Sequence, residues 1–165
     1  QSLSPYAFSK SKNLQLLIHL KKWFGFRYEA LYFYNVYGPR QIQEGSMSTV
    51  IGIFERQLKN NQPLTVTKPG KQRRKFTHIH DTVKGCFYAW KKNLNRHYSL
   101  SNNQSFEIIT VARLFSNNIR FINKRLGERK DSSIPKKIGK IKIYRIPCNT
   151  NLKKYIFNYK KTLKK

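Results

Sequence analysis

The residues in this chain most able to do chemistry are a tyrosine and a lysine four positions apart in "SPYAFSK", Tyr6 and Lys10. On a helix that spacing puts both side chains on one face, within reach of each other. A neighbouring ammonium favours ionisation of a phenol whose ordinary pKa is near ~10, so the tyrosine can serve as an acid/base near neutral pH. The same lysine can hold the hydroxyls of a bound ribose. Spacing alone does not single the pair out, because Tyr88 and Lys92 repeat it in "YAWKK". Elsewhere His78 and His80 stand beside Asp81, too few donors for a metal site, and on a strand they read as surface residues. Cys86 and Cys148 form no CxxC pair and imply no disulfide framework.

These groups need elements to hold them. Ser4 is a good N-cap, Pro5 suits a first helical position and Gly25 a left-handed stop. Between them Leu14, Leu17, Ile18, Leu20 and Phe24 recur at helical spacing. "RYEALYFYNVYG" reads as one buried strand halted at Gly38-Pro39. A second helix is expected from about Ser46 to Asn60, with Met47, Ile51, Phe54 and Leu58 on one face. "PLTV" is a short strand, "KPGKQRRK" a cationic turn and "KFTHIH" another strand. Asp81 is then expected to cap a helix carrying Val83, Cys86, Phe87 and Trp90.

Further on, "HYSLSN" is a strand and Ser105 a candidate cap for a helix through "IITVARLF", followed by the strand "IRFI". "LGERKDSSIPKKIGK" reads as irregular. The tail places Leu152, Ile156, Tyr159 and Leu163 at helical spacing with lysines opposite. Strands alternating with helices indicate an α/β chain.

The chain has 165 residues, enough for one domain or a substantial piece of one, and its 39% hydrophobic and 14% aromatic content is that of a globular protein. Its 34 basic and 7 acidic residues give a net charge of +27, which attracts polyanions. The cations are dispersed, with runs at "GKQRRK", "PKKIGKIK" and "YKKTLKK", and read as a solvated face rather than a dedicated nucleic-acid site. The sequence contains no signal peptide and no long apolar run, so a cytoplasmic protein without membrane contact is expected. It opens on Gln1 rather than Met, which raises the expectation of residues ahead of it.

Context separates Tyr6 and Lys10 from their repeat. "SPYAFSK" is followed by "YFYNVYGPRQ" at 32–41, "GKQRRKFTHIHD" at 70–81 and "RLGE" at 125–128. Four segments in this order resemble the extended short-chain dehydrogenase/reductase family, in particular its nucleotide-sugar epimerases and dehydratases of the UDP-glucose 4-epimerase type. The resemblance implies the C-terminal part of a Rossmann-type doubly wound sheet plus a small α/β substrate-binding portion. Residues 1–45 would end the NAD-binding domain. Residues 46–165 would be mainly substrate-binding, with some elements returning to the sheet and a basic C-terminal helix.

By the same resemblance NAD is the cofactor and a nucleotide-sugar, such as a UDP-sugar, the substrate. Tyr6 would exchange the sugar hydroxyl proton, and Lys10 would hold the nicotinamide ribose. Phe33 and Tyr34 would lie against the nicotinamide. Asn35 would hydrogen-bond the substrate diphosphate, Arg74 and Arg125 would grip it, and Glu128 would contact the nucleotide ribose. A homodimer through the helix bearing Tyr6 is implied for the full-length protein. Lys75, His80 and Leu126 depart from the residues usual in the family, where Asp, Asp and Pro are common, and these departures leave the substrate open.

No G-x-x-G-x-x-G turn occurs in the sequence, nor does the catalytic Ser/Thr that precedes the tyrosine in the family. The 165 residues alone are therefore expected to bind NAD weakly or not at all and to lack epimerase turnover. An inactive remnant, a dehydratase or reductase of the same family, and a basic nucleic-acid-binding protein are the alternatives.

Overall fold

The computed structural model describes residues 4–45, 47–123 and 135–163. It opens on helix α1, Pro5–Phe24, with the ends its sequence predicts. The Ser4 hydroxyl accepts from the Ala7 N–H at 3.2 Å, and Gly25, at φ +67°, donates its N–H to the Lys21 carbonyl. Its surroundings are less expected. None of its residues is buried, and Trp23 and Phe24 are 61% and 77% exposed.

The single strand expected over 27–38 is two strands, β1 (Ala30–Phe33) and β2 (Val36–Tyr37), in different sheets. Asn35 lies between them at φ +39°. A left-handed residue breaks the alternation of a strand, and asparagine adopts that region more readily than most side chains. The chain continues through α2 (Val50–Lys59), β3 (Leu64–Thr67), β4 (Arg73–Lys75), β5 (Thr77–His78), α3 (Ile79–Lys92), β6 (His97–Asn102) and β7 (Ser105–Glu107). It ends with α4 (Ile108–Phe115), β8 (Ile119–Ile122), β9 (Lys137–Ile138), β10 (Ile141–Cys148) and α5 (Leu152–Thr162).

The larger sheet has the order β1-β6-β10-β9, with β1 and β10 flanking β6 in parallel and β9 antiparallel to β10. Leu31, Tyr98 and Tyr144 stand side by side across it. Parallel neighbours require a long crossover. The chain runs through β2 to β5 between β1 and β6, and through β7 and β8 between β6 and β10. These strands form a second region, with β2 parallel to β5, β3 parallel to β8, and β4 antiparallel to β7. The sequence reading assigned no strand to β10. Proline normally argues against a strand interior, but Pro147 is the last residue but one of β10 and β9 pairs only with Ile141 and Lys142, so Pro147 stands at an edge.

Two cores result. The larger joins Tyr37, Ile51, Phe54, Leu64, Val66, Phe76, Val111, Phe115 and Ile156, enclosed by α2, α4 and α5. α2 begins at Val50 rather than Ser46, because the Thr49 hydroxyl accepts from the Gly52 N–H; Met47 lies before the helix and is exposed. α5 buries Leu152 and Ile156 as expected, whereas Leu163 lies just past its end and is exposed.

The smaller core, Ala89, Tyr98, Leu100 and Cys148, sits under α3. The residues α3 buries are Thr82, Gly85 and Ala89, whereas Val83, Phe87 and Trp90 are exposed. The helix lies too close to the sheet for large side chains: a Cβ on Gly85 would stand 2.3 Å from Leu100 Cδ2. No described helix is long and apolar enough to cross a membrane.

Candidate active site

Tyr6 and Lys10 occupy the start of α1 in the geometry their spacing demands. The Lys10 ammonium lies 5.5 Å from the centroid of the Tyr6 ring, and Tyr6 is 66% exposed. Phe33 ends β1 and is exposed, and Tyr34 beside it is half-buried.

A cavity of about 350 Å³ brings together two residues distant in sequence, Asn35 and Arg74. The turn at Asn35 aims its side chain across to β4, where Nδ2 donates to the Lys75 carbonyl at 2.8 Å. Arg74 stands on β4 opposite Phe106 of β7. The preceding turn is fixed by Gly70, at φ +79°, where a Cβ would approach Ile109 and Val66 to 3.0 Å. The Gly70 and Gln72 carbonyls accept from the first N–H groups of α4, those of Ile109 and Ile108, at 2.9 and 3.0 Å. That is why Ser105 does not cap α4. It belongs to β7, where its hydroxyl and carbonyl accept from Arg73 at 3.0 and 3.1 Å.

The two neighbouring arginines are thus sorted. Arg73 is committed to β7, with Glu107 at 3.5 Å, while Arg74 donates to the Arg73 carbonyl and lines the cavity. Around it stand the hydroxyl-bearing Ser48, Thr49, Thr65 and Thr67 and the apolar Ile51, Phe76 and Ile108. Arg74 is the one formally charged residue among the described lining residues. Lys75 donates to the carbonyls of Asn103 and Asn102, at 2.9 and 3.4 Å.

Tyr6, Lys10, Phe33 and Tyr34 are not among the residues lining this cavity. Arg125 and Glu128 lie outside the described residues.

Sequence reasoning missed Glu55. It is buried on α2 and accepts from Gln41 Nε2 at 2.8 Å, Gln43 Nε2 at 3.2 Å and the Tyr155 hydroxyl at 2.8 Å. Gln41 in turn accepts from the Thr49 hydroxyl at 3.0 Å, so the network joins α5, the loop after β2 and the cavity wall. Burial pushes the Glu55 pKa up, against the pull of its three hydrogen-bond donors. The available signal was its position: a glutamate four residues after Ile51, on the buried side of a helix.

His78 is also misread as a surface strand residue. It is half-buried, stacks edge-on to Tyr37 at 5.2 Å, and caps α3 by accepting from the His80 N–H. The expected cap, Asp81, instead accepts from the Thr150 N–H at 2.8 Å, tying α3 to the chain after β10.

With this geometry in view, known proteins place the chain. A model of the NAD dependent epimerase/dehydratase family matches residues 1–101. The chain belongs to that family, whose cofactor is NAD. It is 31% identical over 112 residues to a protein of Methanocaldococcus jannaschii named "Putative UDP-glucose 4-epimerase", covering 65% of this chain and 36% of that one. The solved UDP-glucuronic acid 4-epimerase of Bacillus cereus, in complex with UDP-glucuronic acid and NAD, superposes with a TM-score of 0.78 at 20% identity, over 98% of this chain and 53% of that one. The dTDP-glucose 4,6-dehydratase of Bacillus anthracis superposes with a TM-score of 0.73 at 16% identity, over 98% and 53%. The fold is therefore Rossmann-type, and the chain spans about half the length of these solved structures.

Proposed function

We propose that this chain carries the acid/base pair and the substrate grip of a nucleotide-sugar epimerase of the UDP-glucose 4-epimerase type, as one part of the complete enzyme. Tyr6 exchanges the proton of the sugar hydroxyl, and Lys10 orients the nicotinamide ribose. Phe33 and Tyr34 flank the nicotinamide. Asn35 and Arg74 hold the diphosphate, with Arg125 and Glu128 completing the nucleotide contacts. NAD, when bound, accepts a hydride from the sugar and returns it.

The observation carrying this reading is the cavity shared by Asn35 and Arg74. A planar guanidinium with several donors suits a diphosphate, and Arg74 lines the cavity together with the Asn35 amide and four hydroxyl-bearing residues. Isothermal titration of UDP-glucose into the chain tests it. Binding is expected, and Arg74→Ala should weaken it about tenfold or more, the worth of a lost charge-assisted hydrogen bond. Equal affinity in the variant sinks the reading.

For the cofactor, the chain supplies an ammonium and a phenol on an exposed helix face, which suit ribose hydroxyls, but no glycine turn for the pyrophosphate. The chain alone therefore binds NAD weakly and does not turn over. Stoichiometric NAD in the purified chain would contradict this. A dehydratase of the same family is the second reading, since the matching family model covers epimerases and dehydratases alike. Preference for dTDP-glucose over UDP-glucose in the same titration would support it.

A further inference from the structure

Between α3 and the strands β6 and β10 lies a second cavity, of about 520 Å³, which shares no lining residue with the Asn35–Arg74 cavity. Its size is within the ~300–1,000 Å³ usual for small-molecule sites. Three phenol rings line it, Tyr88, Tyr98 and Tyr144, together with three cations, Lys84, Arg96 and Arg145. The one carboxylate, Asp81, already accepts from the Thr150 N–H.

The arginines are held in place. The Arg96 guanidinium carbon lies 4.4 Å from the centroid of the Tyr144 ring, and Arg145 donates to the Ser101 carbonyl at 3.2 Å. Each guanidinium has five N–H donors, so neither is exhausted by these contacts. Tyr98 is 3% exposed, and its buried hydroxyl has no hydrogen-bond partner among the described residues. Burial pushes its pKa up, which leaves it a neutral donor. A buried donor without a partner is uncommon in a native fold and calls for an explanation.

We infer that this cavity is a second ligand site, built for a planar aromatic ring that carries an anionic group, of the size of a nucleoside monophosphate. The ring stacks among the tyrosines and Arg96, since aromatic faces and guanidinium planes attract one another. The anion meets Lys84 and Arg145. The Tyr98 hydroxyl, which lines the same cavity and has no partner among the described residues, donates to the ligand. None of these residues belongs to the proposed epimerase site, so the two readings stand or fall separately.

The test is calorimetric titration of the 165-residue chain with 5′-AMP at about 0.15 M ionic strength, where distant surface charges are screened. Adenosine and inorganic phosphate are titrated as separate probes. Saturable one-to-one binding of AMP is expected, tighter than that of either part. Tyr98→Phe, which keeps the ring, should weaken binding about fivefold, the worth of one hydrogen bond, and should raise the melting temperature of the free chain. Arg96→Ala should weaken it more, and Arg74→Ala should leave it unchanged. The inference is overturned if AMP does not saturate, if phosphate binds as well as AMP, or if Tyr98→Phe and Arg96→Ala both bind AMP like the unaltered chain.

Discussion

The two halves of the proposed reaction rest on opposite kinds of support. The Asn35–Arg74 cavity stands on the larger core, where Phe54, Phe76 and Phe115 are fully buried and α2, α4 and α5 close around them. Tyr6 and Lys10 stand on a helix with no buried residue, beside a strand at the edge of its sheet. Packing within the described residues thus organises the cavity lined by Asn35 and Arg74, while Tyr6 and Lys10 are positioned by a helix that buries none of its residues. A reacting group must be held within about half an ångström of its productive position. On the proposed reading, substrate binding draws on the packed core of this chain, whereas the pair on α1 has no buried residue of its own helix behind it.

The strongest way to break that contrast is to weaken each side equally and compare. Phe54→Ala opens a cavity in the larger core and should cost about 3–5 kcal/mol, a large share of the ~5–15 kcal/mol that holds an ordinary domain folded. Trp23→Ala, a larger truncation on exposed α1, should cost no more than about 0.5 kcal/mol. Urea denaturation measures both. Comparable losses would mean that α1 is packed in solution after all.

Glu55 sharpens the contrast from the other direction, because it is the polar tie within the packed half. Glu55→Ala leaves the donors of Gln41, Gln43 and Tyr155 without an acceptor and should cost about 1–3 kcal/mol. Glu55 also sets a pH dependence. Its folded pKa is raised by burial above the ordinary carboxylate value of about 4.3, so the folded state holds the proton more tightly than the unfolded state. Its contribution is fully present below that value and is lost as pH rises through the folded pKa. Glu55→Gln, which mimics the protonated form, should remove this loss. The stability of the unaltered chain minus that of the variant should fall across that window. A difference that stays flat with pH would show that burial does not govern this carboxylate.

How far the sequence revealed this follows the same division. The four family segments singled out Asn35 and Arg74, which the fold brings to one cavity, and the caps of α1 were legible from Ser4, Pro5 and Gly25. Burial was not legible where packing partners decide it. Leu14, Leu17 and Ile18 recur at helical spacing, yet none is buried, and the apolar stripe of α3 faces outward because Gly85 brings the helix backbone onto Leu100. Periodicity marks the face that could be buried; it does not supply the surface that buries it. Local signals failed wherever a distant partner overruled them: Asn35 splits a continuous apolar run, and the Gly70 and Gln72 carbonyls replace Ser105 as the cap of α4. Glu55 was invisible for the same reason, since its three donors come from a loop and from α5.

The smallest effect on stability belongs to the outward aromatics, and it comes with a large effect on association. Trp23 on α1 and Trp90 on α3 are 61% and 72% exposed, and Phe24 and Phe87 stand near them in sequence. Contiguous exposed apolar surface drives contact between copies. A net charge of +27 opposes that contact, and salt screens the repulsion, with a Debye length of about 10 Å at 0.1 M. Self-association should therefore rise with salt, the reverse of a complex held by ion pairs. The double variant Trp23→Ser with Trp90→Ser should change unfolding free energy by less than about 0.5 kcal/mol while suppressing the salt-driven association seen by sedimentation velocity. Association that persists unchanged in the variant would place the sticky surface elsewhere and would remove the evidence that these two helix faces are open. Suppression would place the sticky surface on the outward faces of α1 and α3.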